Sequence, residues 1–202
     1  MPDWKQAWDE SRTPWDAGEP SPTLLRLLDE DRVPSGAILV PGCGTGYDLA
    51  VLARDDRRVV GLDLSPIARG AFLMRYPSLP GNVRYEVGDF FQYAADEAFD
   101  FIWDYTFFCA LDPRQRGAWG ETMKRLLKPR GILATLLFPY AKPIPEEQGP
   151  PWPINELLVA EALGDGFERT DLEKAEASHR GREDREYLAI WQKGTGGRGA
   201  GH

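Results

Sequence analysis

The stretch Ala37-Ile38-Leu39-Val40-Pro41-Gly42-Cys43-Gly44-Thr45-Gly46-Tyr47-Asp48 decides how this chain is read. Four apolar residues halted by Pro-Gly have the length and character of a buried strand. Three alternate glycines follow and lead into a helical segment. Without a Cβ, each glycine lets the backbone turn sharply and lets a ligand approach closely. Nineteen residues after Gly44, the next apolar run, residues 59–63 (VVGLD), ends in Asp63. An acidic side chain there can accept hydrogen bonds from both ribose hydroxyls of a nucleoside cofactor.

Outward from this centre the same alternation continues. Further strands are read at 83–87 (VRYEV), 99–105 (FDFIWDY) and 132–138 (ILATLLF), with closing strands at 167–172 and 186–193. Between them lie helical segments. Leu24, Leu25, Leu27 and Leu28 mark a helix before the first strand. Ser65-Pro66 and Asp112-Pro113 each place a capping side chain and a first-turn proline ahead of a helix, at 67–75 and 114–127. The second is expected to close at Lys128-Pro129-Arg130-Gly131. A further helix spans 155–163. Regular strand–helix alternation predicts an α/β, Rossmann-like sheet with right-handed crossovers and helices on both faces.

The chain has 202 residues with 42% hydrophobic and 28% charged, enough for one core and one domain at 1–193. Residues 194–202 (GTGGRGAGH) are expected to form a disordered tail. The net charge of −8 argues against a sequence-independent grip on nucleic acid and against anionic lipid surfaces. Two cysteines, Cys43 and Cys109, give neither a disulfide framework nor a metal site. With no secretory signal and no long apolar run, the expectation is a cytoplasmic protein, a monomer acting on a small molecule.

The glycine spacing alone fits either a dinucleotide or S-adenosylmethionine. The pyrophosphate version wants Gly-x-Gly-x-x-Gly, and here the third glycine falls one residue early. Asp48 follows, a poor neighbour for a diphosphate and a better one for a sulfonium. Asp89, in Gly88-Asp89-Phe90-Phe91, stands where it can accept from an adenine amino group. Tyr105 sits at the carboxyl edge of the fourth strand, beside the expected crevice.

Together these motifs resemble the class I S-adenosylmethionine-dependent methyltransferases. More narrowly, Trp4-x-x-x-Trp8-Asp9, Thr13-Pro14-Trp15-Asp16, Pro41-Gly42-Cys43-Gly44 and Asp104-Tyr105-Thr106-Phe107-Phe108-Cys109-Ala110 resemble the thiopurine methyltransferase superfamily, nearest its halide/thiol branch. The resemblance implies a mostly parallel seven-stranded sheet whose last strand is antiparallel, with an N-terminal helical lid over residues 1–20. It implies that Trp4, Trp8 and Trp15 cover the cofactor and that Gly42, with Gly44 and Gly46, cradles it. Asp63 would meet the ribose, Asp89 and Phe90 the adenine, and Tyr105 the region of the sulfonium. Tryptophan faces attract cations, which suits a sulfonium.

Methyl transfer from a sulfonium is an in-line displacement with a neutral leaving group, so it needs alignment and dryness and no metal. A soft nucleophile fits best: a thiol or hydrosulfide, alternatively a halide, thiocyanate or another small metabolite. A non-catalytic S-adenosylmethionine sensor and a nicotinamide-linked oxidoreductase are the readings from other classes. The proline-rich segment 140–153 follows the fifth strand and is read as a lid or substrate loop, with Tyr140 and Trp152 walling the acceptor pocket. The halide/thiol branch usually carries tyrosine after Gly-Pro-Pro, and Trp152 stands there instead. Arg180 or Arg182, with His179, can attract a small anion or lower a thiol pKa. Arg180 is the expected pocket residue.

Overall fold

The computed structural model describes residues 4–143 and 149–195. The tail reading for 194–202 therefore falls almost wholly outside the described residues, as does the centre of the proline-rich segment. Seven strands form one sheet in the order β3-β2-β1-β4-β5-β7-β6. They are β1 (Gly36–Pro41), β2 (Arg57–Asp63), β3 (Val83–Val87), β4 (Phe99–Tyr105), β5 (Leu127–Leu137), β6 (Phe167–Lys174) and β7 (Tyr187–Lys193). β1 to β5 pair in parallel, and β7 lies antiparallel between β5 and β6. The order reverses between β1 and β4, and that is where open α/β sheets hold ligands.

Alternation of side chains through β1 and β4 splits the core into two layers. Ile38, Val40, Phe101 and Trp103 face α2 (Pro22–Asp29), α3 (Tyr47–Leu52) and α4 (Pro66–Arg75). Leu39 and Ile102 face α5 (Arg116–Leu126) and α6 (Glu156–Leu163). A Cβ on Gly120 would stand 1.7 Å from the Ala162 carbonyl oxygen, so α5 and α6 touch backbone to backbone there. The caps form as their sequences direct. Ser65 Oγ accepts from Ala68 N at 3.2 Å, and Asn155 Oδ1 accepts from Leu157 N and Leu158 N.

Two boundaries differ from the sequence reading. Asp112 caps a short 3-10 turn, Pro113–Gln115, before α5 begins. The residues Lys128-Pro129-Arg130-Gly131 do not end the helix; α5 stops at Leu126 and β5 already pairs through Leu127 opposite Phe99. Pairing resumes at Ile132 opposite Phe101, so four residues loop out where Pro129 has no N–H to give. Arg130 adopts φ 63° in that excursion.

Candidate active site

The turn after β1 takes the backbone shape its glycines were read for. Gly42, Gly44 and Gly46 all have positive φ, at 61°, 52° and 78°. Space as well as torsion demands glycine. A Cβ on Gly42 would lie 2.5 Å from the Phe107 ring, and one on Gly46 would lie 2.4 Å from Phe72. At Gly44 the nearest neighbour is Trp8, at 3.6 Å. The turn is pinned at both ends: Gly42 N donates to Leu62 O at 2.7 Å, and the Tyr85 hydroxyl donates to Gly44 O at 2.7 Å.

Asp63 ends β2 beside this turn. Its Oδ2 accepts from Gly44 N and its Oδ1 from Ser65 N, both at 2.9 Å. A carboxylate has about four lone-pair sites, so room for a further donor remains. Burial raises its carboxyl above the ordinary value, and the amides of Ser65, Gly44 and Leu64 work against that rise.

A cleft of about 80 Å³ opens above Gly42 and Gly44. Trp8, Trp15, Asp48, Tyr105, His179 and Arg182 are among the residues that wall it. Asp48 is deeply engaged: it accepts from Ser21 N at 2.8 Å and from Trp103 Nε1 at 2.7 Å. A larger hollow of about 420 Å³ lies at the amino ends of the strands, lined by Arg57, Arg58, Asp55 and Asp56 among others. It lies away from the glycine turn, at the opposite end of the sheet.

The N-terminal segment crosses the cleft. α1 (Trp4–Asp9) places Trp4 and Trp8 one turn apart, and both meet Trp15 edge-on, at 5.1 and 6.1 Å. Polar contacts moor the segment. Thr45 Oγ1 donates to Asp16 Oδ2 at 2.7 Å, and Arg182 Nη2 donates to the Trp15 carbonyl at 2.7 Å.

Other expected site residues are placed as follows. Asp89 caps a 3-10 turn by accepting from Phe91 N at 2.9 Å, and the Phe90 ring is buried against Phe107. Trp4, Gly46, Asp63, Asp89 and Phe90 do not wall the cleft itself. Tyr140 also stands outside it: it donates to Glu156 Oε2 at 2.9 Å and stacks on Tyr187 at 3.9 Å. Trp152 packs under Gly149, and its amide donates to Cys109 O at 2.8 Å. Arg180 is exposed and does not reach the cleft; Arg182, two residues on, is the arginine that does. Gly181 between them has φ 84°, a turn that redirects the chain.

Sequence reasoning missed Glu186, which it took only as the start of a strand. It is buried, and its Oε1 accepts from the Tyr105 hydroxyl at 2.6 Å. Arg182 Nη1 donates to the same hydroxyl. The two partners lie 77 and 81 residues from Tyr105 in sequence, a separation that leaves no local signal. Both thiols are raised by burial, Cys109 to about 12 and Cys43 well above its ordinary value, so neither is a nucleophile at neutral pH.

A sheet of this order, with a glycine turn and an acidic residue at the tips of β1 and β2, is the class I methyltransferase fold. The chain belongs to the thiopurine S-methyltransferase family, whose family model matches residues 1–192. It is 39% identical over 196 residues to the probable thiol methyltransferase 2 of Arabidopsis thaliana, covering 95% of this chain and 85% of that one. It is 37% identical over 193 residues to thiocyanate methyltransferase 1 of the same plant, covering 94% and 84%. Among solved structures, the N-methyltransferase NodS from Bradyrhizobium japonicum, in complex with S-adenosylhomocysteine, superposes with a TM-score of 0.70 at 19% identity. That match covers 94% of this chain and 97% of NodS. The protein is an S-adenosylmethionine-dependent methyltransferase. Among the described residues no helix is long and apolar enough to cross a membrane.

Proposed function

We propose that this protein moves the methyl group of S-adenosylmethionine to the sulfur of a small soft nucleophile, a thiol, hydrosulfide or thiocyanate. The observation that carries the reading is the cleft over Gly42 and Gly44, walled by Trp8, Trp15, Tyr105 and Arg182. The glycine cradle fits the cofactor because Gly44 presents bare backbone to the cleft, with Trp8 the nearest neighbour of its Cβ position at 3.6 Å. S-adenosylmethionine, when bound, supplies an electrophilic methyl on a cationic sulfur.

The residues divide the work. Gly42, Gly44 and Gly46 hold the turn against the amino-acid end. Asp63 accepts from the ribose through its open lone pairs, and Asp89 and the backbone at Phe90 meet the adenine. Trp4, Trp8 and Trp15 form the cover, within a lid whose described part is residues 4–20. Tyr105 and Arg182 face the reacting centre, and the guanidinium draws in an anionic acceptor. Tyr140 and Trp152 belong to the proline-rich segment that borders the acceptor side. The protein supplies alignment and excludes water, and an anionic sulfur needs little more.

Incubation with cofactor labelled on the methyl group and a panel of thiocyanate, hydrosulfide, iodide and alkanethiols tests this reading. Methylated sulfur products are expected. Tight cofactor binding with no product from any acceptor would favour the sensor reading, and stabilisation by NADH in place of S-adenosylhomocysteine would overturn the cofactor.

The cover makes a separate prediction. α1 has six residues and buries none of them fully, so it contributes little to folding. Trp15, touched by both other tryptophans, is its hub. Trp15→Ala should weaken S-adenosylhomocysteine binding by about 1–2 kcal/mol, the scale of a part-buried aromatic, while the melting temperature moves little. Calorimetric titration beside a thermal melt checks this. A large fall in melting temperature with unchanged affinity would make the tryptophans structural anchors.

A further inference from the structure

A thiol acceptor that is neutral in solution must shed its proton as the sulfur attacks. Cysteine-like thiols ionise near pH 8.5, so most are protonated at neutral pH. Among the carboxylates of the cradle and the cover, Asp48 accepts from Ser21 N and the Trp103 indole, Asp16 accepts from Thr45 Oγ1 and Gly18 N, Glu19 is exposed, and Asp63 does not wall the cleft.

The wall of the cleft that Arg182 joins to Trp15 offers an acceptor. Tyr105 lines the cleft and donates its hydroxyl proton to Glu186 Oε1 at 2.6 Å. Its oxygen accepts from Arg182 Nη1, which leaves one lone pair open. Glu186 is 1% exposed, and its Oε2 has no hydrogen-bond partner among the described residues. A buried carboxylate with an unfilled oxygen costs stability and calls for a reason. The other charged groups nearby are His179, stacked on the Tyr105 ring at 6.0 Å, with Asp48 and Glu19 beyond it. Arg185 lies over Phe138 on the strand side.

We propose that Tyr105 and Glu186 form a two-residue relay that accepts the proton of a neutral thiol. The thiol S–H donates to the Tyr105 oxygen while the Tyr105 proton passes to Glu186 Oε1. The sulfur lone pair so released forms the new S–CH3 bond as the methyl–sulfonium bond breaks. The products are a neutral methyl thioether, neutral S-adenosylhomocysteine and protonated Glu186, which returns its proton to solvent on release. Arg182 holds the phenol oxygen and offsets the negative charge that builds on it. Tyr105 is the group that touches the acceptor, and Glu186 acts through it. This inference rests on the proposed sulfur methylation, and it adds a distinction between acceptors. Thiocyanate has no proton to lose and does not need the relay.

The test is a competition between thiocyanate and an alkanethiol, 2-mercaptoethanol, in one reaction at pH 7. Because both acceptors draw on the same protein, any misfolded fraction cancels from the product ratio. Glu186→Gln should lower the thiol-to-thiocyanate ratio about 10²-fold, the usual scale for losing a positioned proton acceptor. Its rate with the thiol should then climb tenfold per pH unit, tracking thiolate in solution, whereas the parent protein holds its rate to lower pH. Tyr105→Phe keeps the ring, loses the hydroxyl and should reproduce both effects; it carries the test if the glutamine variant does not fold. A ratio unchanged in both variants, or a parallel loss with both acceptors, overturns the relay. A thiol-selective loss in His179→Asn with none in Glu186→Gln would overturn it too, by assigning the proton to the imidazole. If the parent protein methylates neither acceptor, the proposed function itself fails.

Discussion

Replacing Asp63 with alanine is expected to weaken S-adenosylhomocysteine binding by about 1.5–3 kcal/mol, roughly ten- to 150-fold in dissociation constant. The carboxylate does two things at once. Its inner lone pairs accept from Gly44 N and Ser65 N, which fixes the tip of the glycine turn and the start of α4. Its outer lone pairs face the position proposed for the ribose. Asp63→Asn would not rescue the loss, because the new amide NH2 would meet one of those backbone N–H groups donor to donor. Affinity should also fall on acidification at a higher pH than an exposed aspartate would dictate, since burial raises this carboxyl. Calorimetric titration from pH 7 downward checks both statements. Unchanged affinity in the alanine variant would mean that the ribose is held elsewhere.

This turn was legible in the sequence because its strand, glycines and acidic tip all lie within 36–63, although the residues that pack against it, Tyr85, Phe72 and Phe107, come from farther along the chain. The seven strands were legible for the same reason. β1 to β5 and β7 (YLAIWQK) are apolar runs, and β6 (FERTDLEK), though heavily charged, is an edge strand with solvent on much of its surface. The looped-out stretch 128–131 was misread because Lys-Pro-Arg-Gly carries the punctuation of a helix end, whereas the helix had already stopped. Only the pairing of Leu127 with Phe99 decides that boundary, and pairing is tertiary.

The acceptor wall was far less legible. Two of its side chains, His179 and Arg182, come from a polar stretch that reads as a solvated loop, and Glu186 follows directly, where the closing strand was expected to begin. What converts it is antiparallel pairing of β7 with β5, which carries the start of β7 to the carboxyl ends of β4 and β5. Composition singled out the cationic character of this stretch correctly but not which arginine turns inward. Arg180 and Arg182 are equivalent in sequence terms; the left-handed Gly181 between them sends the second toward Trp15 and Tyr105. The anionic partner, Glu186, carried no sequence signal at all, since a glutamate at a strand's start is ordinarily exposed.

Behind Tyr105, the preceding residue organises the same wall and sets a pH dependence of stability. Asp104 is 2% exposed; its Oδ1 accepts from Phe108 N at 3.1 Å and its Oδ2 from Trp119 Nε1 at 2.9 Å. These bonds fold the chain back after β4, through Thr106 at φ 60°, and seat Phe107 against Gly42. Burial nevertheless dominates and pushes the carboxyl from 3.8 up to about 6. Because the folded value is the higher one, the folded state holds a proton that the unfolded state has lost between these two pH values. The group's contribution is therefore fully present below about pH 4 and declines as the pH rises through about 6. At about 1.36 kcal/mol per pH unit the change is on the order of 3 kcal/mol. Asp104→Asn removes this titration; its NH2 meets one of the two N–H donors, a cost that does not change with pH and so drops out of the comparison. The stability advantage of the parent protein over that variant, measured by denaturant unfolding, should shrink by about this amount between pH 4 and pH 7. Parallel stability curves for the two proteins would show that the two N–H donors hold the charge as well as water does, and that burial at this site carries no penalty.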